Sequence, residues 1–152
     1  MWTKTKSLFL SRILTCVVAG IFFILTFFVP GIAEWYSEIS NGKGLFGGDI
    51  VIPICVGLYV AEILGFSALW QLYRLLENIN REQVFIDENT RCLRIISWSC
   101  MFAGVSFAAI GLWRFVFLMP SIMAVMFGLI MRVLKNVFEK AVEIKSENDF
   151  TI

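Results

Sequence analysis

Glu62 is the residue of this 152-residue chain whose type and position are best suited to chemistry. It lies in an apolar run that begins at Ile50, and at ~1.5 Å per helical residue it is roughly 18 Å into that run. An ionisable side chain near the middle of a membrane is costly and therefore indicates a function. Ser106 is predicted at a similar depth, within hydrogen-bonding reach of Glu62. Two roles stay open for Glu62, namely a structural hydrogen bond between helices and proton coupling.

The other reactive side chains form no catalytic or metal-binding pattern. Histidine, the most frequent general base and transition-metal ligand, is absent. The four cysteines lie in or beside apolar runs and form no Cys-x-x-Cys pair, so we interpret them as packing residues without a disulfide. Nucleotide-binding loops and activated nucleophiles are not recognisable either. The sequence therefore predicts no enzyme, no cofactor and no metal site.

The helices that position Glu62 are predicted from four apolar runs. These runs lie at about residues 13–33, 50–73, 93–118 and 119–137. Each reaches or nearly reaches the ~20 residues that a helix needs to cross a bilayer. A mean hydropathy of +0.80 is also far above that of soluble proteins. The predicted fold is all-α, a four-transmembrane-helix bundle in one integral membrane domain, with a connector at 74–92 and a C-terminal extension at 138–152.

The basic residues indicate how this bundle is oriented. All of them except Lys43 and Arg114 lie in the N-terminal segment, the connector or the C-terminal region. The positive-inside rule then places both termini in the cytoplasm of a bacterial plasma membrane. Acidic residues balance the four arginines of the connector region, so direct nucleic acid binding is not expected.

Local patterns refine the elements at both sides of the bilayer. Outside, we expect a Gly-rich loop at 34–49 and a tight turn around Met119–Ser121. Inside, helical spacing continues past the second and fourth spans, and Asp87 is predicted to cap the third helix. Small residues at three- or four-residue spacing indicate closely packed helices and leave a homo-oligomer open; they are Gly57, Ala61, Gly65, Gly104, Ala108 and Gly111.

Two segments carry a more specific signal. The connector contains Phe85, then Asn89, then Leu93-Arg94 where the third helix begins its apolar run. The C-terminal region has Val137-Phe138, an acidic stretch and a final Asp149-Phe150-Thr151-Ile152. These segments resemble the bacterial four-helix membrane family known as domain of unknown function 2975, in which Leu is usual at the position of Phe150.

The resemblance implies a partner and no assigned reaction. Family members are often encoded beside a small Cro/repressor-type helix-turn-helix regulator, which implies that the membrane protein sequesters or inhibits that regulator. The apolar end of the tail either binds a partner, as an added strand or in a groove, or folds back onto the bundle. The residues predicted to bind a partner are Phe85, Asn89, Arg94, Glu147, Asp149, Phe150, Thr151 and Ile152. The alternative function is a small proton-coupled transporter or an immunity-type membrane protein that uses Glu62.

Overall fold

The computed structural model describes residues 4–40 and 45–149, and nearly all of them are helical. All four helices are long and apolar enough to cross a membrane, and the described part contains no strand. The all-α class with four transmembrane helices is therefore confirmed. The helices are α1 (Lys4–Ile39), α2 (Val51–Asn80), α3 (Asp87–Gly111) and α4 (Leu118–Asp149), with a short 3-10 turn at Phe115–Phe117 before α4.

Each helix packs on its neighbours in sequence. Close backbone contacts join α1 to α2, α2 to α3 and α3 to α4, whereas α1 and α4 do not approach each other within the described ranges. The bundle is thus a row of helices that is open between α1 and α4. We call the end with the α2–α3 connection (residues 81–86) the connector end, and the end with the α3–α4 connection (residues 112–117) the loop end.

One buried apolar cluster holds each end of the row. At the loop end, Ala33 of α1 packs with Ile50 and Ile54 near the start of α2 and with Ile110 of α3. At the connector end, Leu75, Cys92 and Leu93 are buried together, and Met131 and Phe138 of α4 pack against them. Because α1 contributes only to the first cluster, it is the more peripheral helix at the connector end.

Glycines permit close packing between α3 and α4. A Cβ atom on Gly104 would lie 2.6 Å from Cγ2 of Val125 and 3.1 Å from the carbonyl oxygen of Ser121. The Ser121 hydroxyl donates a 2.7 Å hydrogen bond to the Gly104 carbonyl, and Ser97 does the same for Gly128. The glycines of the small-residue pattern therefore serve contacts within one chain.

Two turns differ from the sequence-based expectation. α1 continues to Ile39, so the start of the predicted 34–49 loop is helical. The chain reverses at residues 112–117 and not at 119–121, which places Pro120 in the first turn of α4, where a missing N–H costs little. Hydropathy could not locate this second turn because residues 115–119 are as apolar as the spans on either side.

The predicted cap of α3 was also wrong. Asp87 is the first residue of the helix, and the preceding Ile86 is extended and makes no side-chain capping bond. Asp87 and Glu88 still lie in the first turn, where negative charge is favourable.

Candidate functional site

The connection between α2 and α3 begins with a hydrogen-bonded helix terminus. The amide of Gln83 donates to the carbonyl of Asn78, and the amide of Glu82 donates to that of Ile79, both at 3.0 Å. These two bonds form a Schellman motif, in which the residue after the cap takes a left-handed conformation. That residue is Glu82, with φ of 62°, where glycine is the usual choice. The motif turns the chain back toward α3.

Asn89 closes this connection from the other side. Its amide nitrogen donates to the carbonyl oxygens of Gln83 and Val84, at 2.8 Å and 2.7 Å. Its side-chain oxygen accepts a 2.8 Å hydrogen bond from the Asn78 amide. The side chain has no exposed surface, so its polar groups are engaged inside the protein. Although we predicted Asn89 as a partner-binding residue, its place in the structure is an internal one.

The other connector residues of the resemblance contact α4. The ring of Phe85 lies 6.0 Å from the ring of Phe138, and Leu93 is buried in the cluster that Phe138 packs against. Arg94 forms a 3.4 Å ion pair with Glu139. The two segments that carry the family signal therefore meet at the connector end. Phe85 is nevertheless 45% exposed, and Arg94 also keeps much of its surface in contact with solvent.

The end of α4 extends away from these contacts. From Glu139 to Asp149 the helix rises by about 15 Å. Residues 143–148 are all exposed, including the apolar side chain of Ile144, which is 52% exposed. Lys135 donates a hydrogen bond to Glu139, which lies beyond the predicted span, and this lowers the pKa of the Glu139 carboxyl below its ordinary value. The extension is thus a charged, amphipathic helical surface that begins at the contacts with Phe85 and Arg94.

The tail residues of the prediction are only partly described. Glu147 is exposed on α4, and Asp149 is the last residue of that helix. Phe150, Thr151 and Ile152 lie outside the described residues, so a docked or free tail stays a prediction.

Glu62 has a different partner from the one we predicted. Its Oε1 accepts a 2.8 Å hydrogen bond from the hydroxyl of Thr26 on α1. Ser106, the predicted partner, donates instead to the carbonyl of Gly57 at 2.8 Å. Glu62 also lines a largely apolar cavity of about 440 Å³ formed by α1, α2 and α3. The arrangement joins α1 to α2 and leaves a carboxyl group at the wall of the cavity.

Sequence reasoning missed two residues of α1 that hold it against α2. Thr26 is one, and Arg12 is the other. Arg12 donates a 3.0 Å hydrogen bond to the Tyr73 hydroxyl and lies 2.7 Å from the carboxylate of Glu77. The available signal was the presence of a polar Thr in the first apolar run and an Arg at its border, both of which need partners near a membrane.

The comparisons with known proteins agree with the family resemblance noted in the connector and the C-terminal region. Residues 47–152 match the family model described as "Protein of unknown function (DUF2975)". The chain belongs to this family. The matched segment contains α2, α3 and α4 and begins after α1.

A relative of similar length supports the membrane assignment. The chain is 26% identical over 168 aligned residues to an "Uncharacterized membrane protein YoaS" of Bacillus subtilis (strain 168). The alignment covers 98% of the chain and 99% of the relative. No solved structure matches the chain significantly. The protein is therefore an integral membrane protein of this family.

Proposed function

We propose that this protein is a membrane-anchored regulatory protein that binds a cytoplasmic protein at its connector end. The carrying observation is that the exposed extension of α4 begins where Phe138 and Glu139 contact Phe85 and Arg94, which are themselves half exposed. An amphipathic helix with unburied apolar and charged side chains is a common recognition element for another protein. Asn89 supports this surface from inside and does not belong to it.

The proposal requires the connector end to face the cytoplasm. The positive-inside distribution supports this orientation, since almost all Lys and Arg residues lie toward that end or the termini. Fusions of a cytoplasm-active fluorescent protein and of a periplasm-active phosphatase to the C-terminus test it. Fluorescence without phosphatase activity is the expected result, and the reverse pattern would contradict the proposed orientation.

The partner we propose is a Cro/repressor-type helix-turn-helix regulator held at the bilayer. The test is capture of such a protein from a cytoplasmic extract by the detergent-solubilised chain, followed by identification of what is retained. Deletion of residues 147–152 should reduce capture strongly because it removes the end of the α4 extension and the tail. Retention of no helix-turn-helix protein, or equal retention by the deletion variant, would contradict this function.

A matched pair of variants tests direct contact by Arg94. Arg94→Ala and Glu139→Ala both break the same ion pair, which is exposed and contributes only ~0–1 kcal/mol to stability, and Glu139→Ala also removes the exposed pair with Lys135. If Arg94 contacts the partner, Arg94→Ala should weaken capture of the regulator much more than Glu139→Ala does. Equal effects would assign Arg94 a role in the ion pair alone.

A second candidate function has one observation in its favour. The hydrogen bond between Thr26 and Glu62 places a carboxyl group in an apolar wall within the membrane, as a small proton-coupled transporter or an immunity-type membrane protein would need. Glu62→Gln should abolish that function and leave capture of a cytoplasmic regulator intact. Deletion of residues 147–152 should do the opposite.

A further inference from the structure

A groove runs along one face of the bundle. Its half toward the loop end is the cavity of about 440 Å³, walled by α1, α2 and α3; its lining residues include Phe22, Val29, Ala61, Glu62, Ala103 and Phe107. Among the described residues that line this cavity, Glu62 is the one charged side chain. Its volume is within the range of about 300–1,000 Å³ that is typical of small-molecule sites.

A second cavity lies along the same helix α2, toward the connector end. It has a volume of about 250 Å³ and an apolar lining from α2, α3 and α4. On α2 the residues that line the two cavities recur every three or four positions, so they form one helical stripe; they are Leu58, Ala61, Gly65, Leu69, Leu72 and Leu75. Within the described ranges α1 and α4 do not meet, so the part of this stripe around Ala61 is accessible to molecules that enter from the bilayer, whereas Leu75 at its far end is buried.

Thr26 holds the carboxyl group of Glu62 at the wall of the groove. Its hydroxyl lies 2.8 Å from Oε1 of Glu62 and 3.1 Å from the carbonyl oxygen of Phe22, and it can donate its one hydrogen to either oxygen. The bond to Glu62 joins α1 to α2 and fixes the carboxyl group beside the apolar lining.

A nearby positive charge would stabilise an ionised Glu62 in this apolar wall. A carboxylate surrounded by apolar groups is strongly stabilised by a nearby cation because the local dielectric constant is low. Neither Lys nor Arg is among the residues that line the cavity. The described lining therefore supplies the anion, a hydrogen-bond donor and an apolar surface, and it contains no cation.

We propose that the groove binds a small apolar molecule that carries one protonated amine, with the ammonium group against Glu62 and the apolar part along the stripe of α2. This inference is independent of the proposed cytoplasmic partner, because Glu62 and its cavity lie in the membrane-spanning part and the partner surface lies at the connector end.

The test uses dodecylamine as the probe and the full-length protein in lipid nanodiscs. Radiolabelled dodecylamine is titrated into loaded discs and into empty discs of the same lipid, so that partition into the bilayer can be subtracted. We expect saturable binding of one amine per protein. Unlabelled dodecylamine should compete, and dodecanol, which has the same chain but no charge, should not.

Two variants separate the charge from the apolar surface. Glu62→Gln should weaken binding by about tenfold or more, because a hydrogen-bonded charge is lost. Ala61→Phe keeps the carboxyl group and fills the groove, so it should also abolish saturable binding. Glu34→Gln is the matched control, since Glu34 is an exposed acid near the loop end of α1 and should leave binding unchanged.

The proposal fails under any of three outcomes. The first is the absence of saturable binding above that of empty discs. The second is competition by dodecanol as effective as that by dodecylamine, which would leave the groove as a general apolar surface. The third is wild-type affinity in either groove variant, once circular dichroism and gel filtration show that the variant is folded. If Glu62→Gln does not fold, the decision rests on Ala61→Phe and on the dodecanol competition.

Discussion

Replacement of Asn89 by Ala should unfold the connector end more readily than any exposed substitution nearby. The Asn89 side chain makes three hydrogen bonds, two to the carbonyls of Gln83 and Val84 and one from Asn78. At ~1 kcal/mol for each bond, we expect a loss of about 3 kcal/mol. The estimate is large for one residue because the side chain is completely buried and no water can replace the lost partners.

The assay is equilibrium unfolding of the protein in detergent micelles, followed by circular dichroism, together with hydrogen exchange of the amides at 82–90. Asn80→Ala is the matched control, since Asn80 is exposed in the last turn of α2 and should change stability by less than ~0.5 kcal/mol. Faster exchange should be strongest in the connection between α2 and α3. A stability change for Asn89→Ala as small as that of the control would refute the role we assign to its hydrogen bonds.

Three further predictions concern backbone geometry and α1. Gly104→Leu should destabilise the α3–α4 contact by about 1–3 kcal/mol in the same unfolding assay, whereas Gly20→Leu, with open space around its Cα, should not. Glu82→Gly should stabilise the protein by up to ~1 kcal/mol through relief of its left-handed backbone, and Glu82→Ala should not. Arg12→Leu should speed hydrogen exchange in the first turns of α1 and leave α3 unchanged.

The sequence was sufficient for the number of helices because each apolar run has the length and composition that a bilayer requires. It did not locate the α3–α4 turn. Phe115, Val116 and Phe117 are as apolar as a span, and across the reversal Leu118 packs over Gly111, where a Cβ would lie 2.6 Å from the Leu118 side chain. That contact joins residues of two elements, and hydropathy along the chain carries no information about it.

The error over the partner of Glu62 has a related cause. Counting residues gives the depth of a side chain in the membrane, and Ser106 was a reasonable partner by depth. Counting residues does not give the rotation of each helix about its axis, because that rotation is set by packing between helices. In the structure Ser106 faces the Gly57 carbonyl, while the peripheral helix α1 brings Thr26 to Glu62.

The two proposed sites depend on different parts of the chain. The connector-end surface is built from α3, α4 and the connector, all within the segment 47–152 that matches the family. The groove needs α1, which lies outside that segment and supplies Thr26 and the wall at Phe22. Arg94→Ala should therefore reduce capture of the regulator without changing dodecylamine affinity, and Glu62→Gln should do the reverse. If either variant alters both measurements while the protein remains folded, the groove and the connector end are coupled, and the view that they act separately is wrong.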